Sequence, residues 1–136
     1  MPELPEVETV TTGLNFAIKN LIVKKVHVNR YDLRIKVSNE ITSVLNNLKV
    51  IAVKRRAKFG IIHFENEYSV VFHLGMSGTI HLIRDNFKSS LTNLSFYNSP
   101  LLPNKHNHIE IIFDEFRIIY NDPRRFGFFQ MIKDNF

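Results

Sequence analysis

The sequence predicts a mainly β domain carrying two helices, a sandwich or a barrel, on three observations. From Val50 onward, short runs rich in β-branched and aromatic residues recur between turns. Ahead of them lie two stretches whose apolar residues fall at helical spacing. Hydrophobic residues make up 44% of the 136 positions, which suits one globular domain with its own core.

Val7, Val10, Leu14 and Ile18 recur at intervals of three and four, with Pro5 suited to a first helical turn, so residues 5 to 18 are predicted to form an amphipathic helix. The β-branched content of Leu21 to Asn29 predicts a strand. Ser38 opens a capped stretch in which Ile41, Val44, Leu45 and Leu48 predict a second short helix. Seven further strands are predicted over Val50 to Val53, Gly60 to Phe64, Ser69 to Leu74, Thr79 to Ile83, Ile109 to Phe113, Arg117 to Tyr120 and Phe128 to Ile132. Glu65 to Glu67 and Asp114 to Phe116 are short enough to close hairpins. Arg84 to Asn104 is long, polar and proline-containing, and is expected to be a mobile or functional loop. Neither an internal repeat nor a low-complexity tract is present.

The absence of cysteine excludes a disulfide framework and a thiolate metal site within these residues. The amino terminus carries acids and prolines where a secretion signal has a basic start and an apolar run, and no apolar stretch reaches membrane-spanning length. The expectation is a soluble, cytoplasmic protein with no membrane partner. A net charge of +5 suits a polyanion, because lysines and arginines gain affinity by displacing counterions from phosphates. The chain stops at Phe136, directly after a strand-like run, as a fragment of a longer protein would.

Pro2 and Glu3 open the chemistry. Removal of Met1 exposes a secondary amine beside a carboxylate, and an α-amino group is deprotonated far more readily than lysine at neutral pH. Such an amine can attack C1′ of a deoxyribose and form an iminium ion, which acidifies the C2′ proton and permits β-elimination of the 3′ phosphate. A buried Glu3 can protonate the sugar ring oxygen. The plainer alternative is that both residues merely precede a helix, where acids suit the dipole.

Lys54-Arg55-Arg56-Ala57-Lys58 sets four cations together, either to clamp phosphates and place one ammonium in a site or to form a solvated edge. His73-Leu74-Gly75-Met76-Ser77-Gly78 runs a strand into a glycine-flanked turn with Met76 at its tip, although methionine is more often a core residue. Asn121 to Gly127 is a turn bearing Arg124, Arg125 and Phe126; arginine and an aromatic ring can fill the gap left by an extruded nucleotide, unless the ring folds back into the core. His106 and His108 have the spacing of a strand-borne metal pair, but phosphate contact by His106 or plain exposure is favoured.

Pro2-Glu3-Leu4-Pro5-Glu6-Val7-Glu8-Thr9, Arg55-Arg56-Ala57-Lys58, His73-Leu74-Gly75-Met76-Ser77-Gly78, Lys105-His106-Asn107-His108 and Asp122-Pro123-Arg124-Arg125-Phe126-Gly127, in order and approximate spacing, resemble the formamidopyrimidine-DNA glycosylase family across the whole chain. The resemblance implies a two-sheet antiparallel β-sandwich flanked by α-helices, Pro2 as the Schiff-base nucleophile, Glu3 as proton donor, Glu6 as a supporting carboxylate and Lys58 as the active-site lysine. It implies that His106 and Arg124 contact DNA, with His73 and Arg125 beside them. Met76, Arg124 and Phe126 resemble the trio that fills the void left by the flipped nucleotide, Phe126 intercalating. The implied partner is damaged double-stranded DNA bound by a monomer, and the implied substrates are oxidised purines such as 8-oxoguanine and formamidopyrimidines. No cofactor is implied for residues 1 to 136; the family's zinc finger and helix-two-turn-helix lie in a C-terminal part that this sequence does not contain.

Three functions follow. The first is a base-excision repair glycosylase with apurinic/apyrimidinic lyase activity, weak or inactive as an isolated fragment. The second is a non-catalytic damaged-DNA-binding remnant, which a blocked amine favours. The third is a β-sandwich that binds a protein or small molecule, which an absence of salt-dependent DNA affinity favours.

Overall fold

The structure, a computed structural model, describes residues 4–83, 90–92 and 106–133. The element order is α1 (Leu4–Ile18), β1 (Lys25–Val28), α2 (Ile41–Val44), β2 (Val50–Arg56), β3 (Phe59–Phe64), β4 (Tyr68–His73), β5 (Thr79–Ile83), β6 (Ser90–Thr92), β7 (Asn107–Ile112), β8 (Arg117–Asn121) and β9 (Phe128–Lys133). All pairing among these strands is antiparallel, in a five-stranded sheet ordered β1-β7-β8-β5-β6 and a four-stranded sheet ordered β2-β3-β4-β9. This is the two-sheet sandwich with two helices that the family resemblance implies, and it decides between the sandwich and the barrel that the strand pattern left open. No described helix is long and apolar enough to cross a membrane.

Period-two alternation builds the core. Val70 and Phe72 of β4 and Phe129 of β9 point inward to meet Ile80, Ile109, Ile111, Ile118 and Tyr120 of the other sheet. Phe129 joins the two sheets, with its ring centroid 5.2 Å from Phe72 and 4.8 Å from Tyr120. Ile61, Val71 and Phe128 form a second, smaller cluster with Ile35, Phe59 and Ile132. The helical repeat identified in the sequence is the buried face of α1, where Val7, Val10, Leu14 and Ile18 are at most 2% exposed. Each such side chain contributes about 1.5–3 kcal/mol by leaving water. α1 stops where Asn20 takes a left-handed φ of +69° and hands its N–H to the Val50 carbonyl at 2.8 Å.

The structure departs most from the predicted elements in four places, and β7 also begins two residues before the predicted Ile109. β1 begins at Lys25 rather than Leu21, because Leu21 to Val23 pairs instead with the segment entering β2: Val50 N–H donates to Leu21 C=O at 2.8 Å and Val23 N–H to Leu48 C=O at 2.9 Å. α2 is a single turn, since Asn47 adopts φ +68° and its N–H goes to Val23 C=O. β2 runs on through the basic residues to Arg56, three residues past the predicted end at Val53; the tight turn sets Arg56 opposite Phe59. Ser90 to Thr92 forms β6 against β5, inside the stretch expected to be all loop, the rest of which lies outside the described residues.

Candidate active site and DNA-facing surface

Three connections collect at one end of the sandwich: the β2–β3 turn, the β4–β5 turn and the β8–β9 segment. α1 delivers its first turn to the same end. Val53 N–H donates to Asn15 Oδ1 at 2.9 Å while Arg55, further along β2, pairs with Glu8, so α1 runs antiparallel to β2 with its N-terminus beside the basic turn. Arg55 also donates to the Ala57 carbonyl at 3.0 Å, which braces that turn. Pro2 and Glu3 lie outside the described residues; Leu4, the first described residue, follows them directly. Glu6 sits half-buried in the first turn of α1, and Lys58 is half-buried in the two-residue β2–β3 loop.

His73 ends β4 at 7% exposure, beneath the surface rather than on it. Its Nδ1 accepts the Gly75 N–H at 3.0 Å, and its ring lies between Phe59 and Phe128, at centroid distances of 5.4 and 5.8 Å. Burial, with the nearby Arg34 and Lys58 charges, holds its pKa below the ordinary histidine value. A neutral ring is what the Gly75 bond requires, since a protonated Nδ1 would be a donor facing a donor. His73 therefore shapes the turn that presents Met76.

Met76 is 53% exposed and Phe126 46% exposed, so neither folds back into the core. The Arg124 guanidinium lies over the Phe126 ring, 5.0 Å from its centroid, and its Nη1 is 4.0 Å from Met76 Sδ. The three side chains expected to act as a trio thus form one surface cluster, although Met76 and Arg124 are 48 residues apart. Beneath them the loops interlock: Gly75 (φ +62°) is packed so closely that an added Cβ would lie 2.7 Å from Gly127 N. Arg124 N–H donates to Ser77 Oγ at 3.2 Å. Arg125 (φ +58°) turns aside, its Nη1 3.3 Å from Asp32 Oδ2. Asp32 also accepts Arg30 Nε at 2.6 Å, and chiefly that bond holds its exposed carboxyl below its ordinary pKa.

His106 (φ +72°) leads into β7 half-buried, and its carbonyl accepts the Asp122 N–H at 3.1 Å. His108 is 3% exposed, with Nε2 2.6 Å from the Asp122 carbonyl. The two imidazoles therefore do different work, His108 locking the β8 end from below. Asp122 is the residue that sequence reasoning missed: fully buried, it gathers Ser77, Tyr120, Arg125 and Gly127. Burial, and then its bond to Asp122, pushes the Tyr120 phenol far above its ordinary value. The available signal was an aspartate heading a proline turn, a residue type that captures nearby backbone N–H groups.

Comparison with known proteins follows the same line. The family described as the formamidopyrimidine-DNA glycosylase N-terminal domain matches residues 1–129. A formamidopyrimidine-DNA glycosylase of Rickettsia felis is 40% identical over 139 residues, covering 100% of this chain and 45% of that protein. One from Agrobacterium fabrum is 36% identical, covering 99% of this chain and 47% of its own length. The chain thus spans about half the length of these curated relatives. Among solved structures, Lactococcus lactis Fpg in complex with abasic-site DNA superposes with TM-score 0.79 at 23% identity over 97% of this chain and 44% of that one. The same enzyme with N7-benzyl-Fapy-dG DNA gives TM-score 0.79 at 24% identity over the same shares. These structural likenesses bear on the fold.

Proposed function

This chain belongs to the formamidopyrimidine-DNA glycosylase family, and from that premise we propose that it is the catalytic half of a base-excision repair enzyme that removes oxidised purines and then cleaves the abasic strand. The observation that carries the proposal is the exposed Met76–Arg124–Phe126 cluster at the same end of the sandwich as the α1 N-terminus and the Lys58 turn. Apolar side chains held open to water beside an arginine suit insertion into a duplex, where stacking and the vacated space repay their exposure.

In this reading the amine of Pro2, freed by loss of Met1, attacks C1′ as the bond to the damaged base breaks. Glu3 protonates the ring oxygen as the C1′–O4′ bond opens, giving an iminium ion. Loss of the C2′ proton then expels the 3′ phosphate, and water releases the enzyme. Glu6 is a supporting carboxylate on the first turn of α1. Lys58 donates a proton and contacts the lesion phosphate, while His106 and Arg124 hold neighbouring phosphates, with Arg125 alongside. Met76, Arg124 and Phe126 fill the void.

The test is an intact-mass determination of the N-terminal residue, followed by incubation with abasic-site or 8-oxoguanine duplex under borohydride. The expected result is a covalent adduct that disappears whenever Met1 is retained. A processed chain that binds the duplex and forms no adduct would reduce the function to damaged-DNA binding alone.

A further inference from the structure

Asp122 follows the end of β8, fully buried, and takes no part in the chemistry above. Its carboxyl oxygens share their work evenly. Oδ1 accepts the Ser77 hydroxyl at 2.6 Å and the Arg125 N–H at 3.1 Å. Oδ2 accepts the Tyr120 hydroxyl and the Gly127 N–H, the latter at 2.9 Å. Its backbone is fixed as well, by the His106 carbonyl at 3.1 Å and His108 Nε2 at 2.6 Å. Ser77 belongs to the Met76 turn, and Arg125 and Gly127 flank Phe126. One side chain therefore holds both tips, and Ser77 Oγ passes the connection on by accepting the Arg124 N–H at 3.2 Å.

We infer that Asp122 is a positioning residue that fixes Met76, Arg124 and Phe126 as one wedge before any duplex arrives. The inference rests on the reading that these tips enter damaged DNA. A preformed wedge does not have to order two loops on binding, and that ordering cost would otherwise weaken each productive encounter. The specific requirement is for a carboxyl group rather than an amide. A hydroxyl can turn its proton elsewhere; a backbone N–H cannot. An asparagine at this site sets its NH2 either against the Gly127 N–H, which releases that side of the Phe126 loop, or against the Arg125 N–H, which then keeps only its longer bond to the Asp122 carbonyl at 3.3 Å. Asp122→Asn therefore keeps the volume and loses the clamp.

The experiment compares the 136-residue protein with Asp122→Asn and Ser77→Ala. Amide hydrogen exchange is followed in the free protein. Binding is measured to a duplex carrying a tetrahydrofuran abasic analogue and to the same duplex intact. Exchange at Arg125 or Gly127 is expected to quicken at least tenfold in Asp122→Asn, and at Arg124 in Ser77→Ala. Preference for the abasic duplex should fall about tenfold in both, while affinity for intact duplex, held by phosphate contacts, changes little. Unaltered exchange in the folded variants overturns the inference, as does faster exchange with the preference intact. Should Asp122→Asn fail to fold, Ser77→Ala decides the same question through the Arg124 amide. A wild-type protein with no abasic preference removes the DNA reading above, and the exchange data still decide whether Asp122 holds the tips.

Discussion

Gly75 and Phe126 touch backbone to backbone: a Cβ added at Gly75 would lie 2.7 Å from the Phe126 carbonyl carbon. The Met76 turn and the Phe126 loop can approach this closely only because one of the two residues has no side chain. Gly75 also sits at φ +62°, where an alanine is strained whatever space it has. Gly75→Ala is expected to cost about 1–3 kcal/mol in urea unfolding, and to part the two tips so that preference for a damaged duplex falls even where the fold survives.

The opposite result is expected one turn away. Ala57 holds φ +51° in the β2–β3 loop without being glycine. The left-handed conformation costs a non-glycine residue about 1–2 kcal/mol, whereas glycine's extra freedom in the unfolded chain costs about 0.5–1 kcal/mol. The first effect wins. Ala57→Gly should stabilise the protein by roughly 0.5 kcal/mol, read as a raised denaturation midpoint with an unchanged slope.

Acid should weaken both the fold and the Met76 turn. His73 is held below its ordinary pKa by burial and then by Arg34 and Lys58, and His63 by burial and then by Lys54. With the folded-state value lower than the unfolded one, the unfolded chain takes up protons first. The stability due to these neutral rings is complete above the ordinary histidine value of about 6.5 and drains away as pH falls from there through the lowered value. His73→Asn offers an acceptor near the place of Nδ1 and cannot titrate. Its unfolding free energy, measured from pH 7.5 to 5, should fall less steeply than that of the wild type; an identical slope would remove His73 as a source.

Why some of this was legible in the sequence and some was not is visible in these same residues. Val7, Val10, Leu14 and Ile18 predict α1 to within one residue of its start because a helix is a local object whose buried face repeats along the chain. The strand runs from β3 to β5 and from β7 to β9 are legible for the same reason. Leu21 to Val23 carries equally good β-branched residues, yet its partner is the segment entering β2, and no local pattern names a partner. β6 exists only because the edge of β5 accepts it. The exposed trio follows from motif resemblance, but the Ser77–Asp122 bond that joins its loops spans 45 residues and is a product of the fold.

Phe126 and Phe16 offer a matched pair for the last prediction. Both are exposed, but to different degrees: Phe16, at 93%, should change stability by no more than about 0.5 kcal/mol when truncated, whereas Phe126, at 46% and under the Arg124 guanidinium, should cost about 1 kcal/mol. They differ in place, since Phe126 stands over Arg124 in the tip cluster and Phe16 projects from the opposite side of α1 to its buried Leu14. An aromatic side chain stacked on a base is worth about 1–3 kcal/mol when cut to alanine. Phe126→Ala should therefore lose roughly five- to 150-fold in affinity for an abasic duplex, whereas Phe16→Ala binds as the wild type does. Equal losses in the two variants would mean that the tip cluster is not the surface that meets DNA.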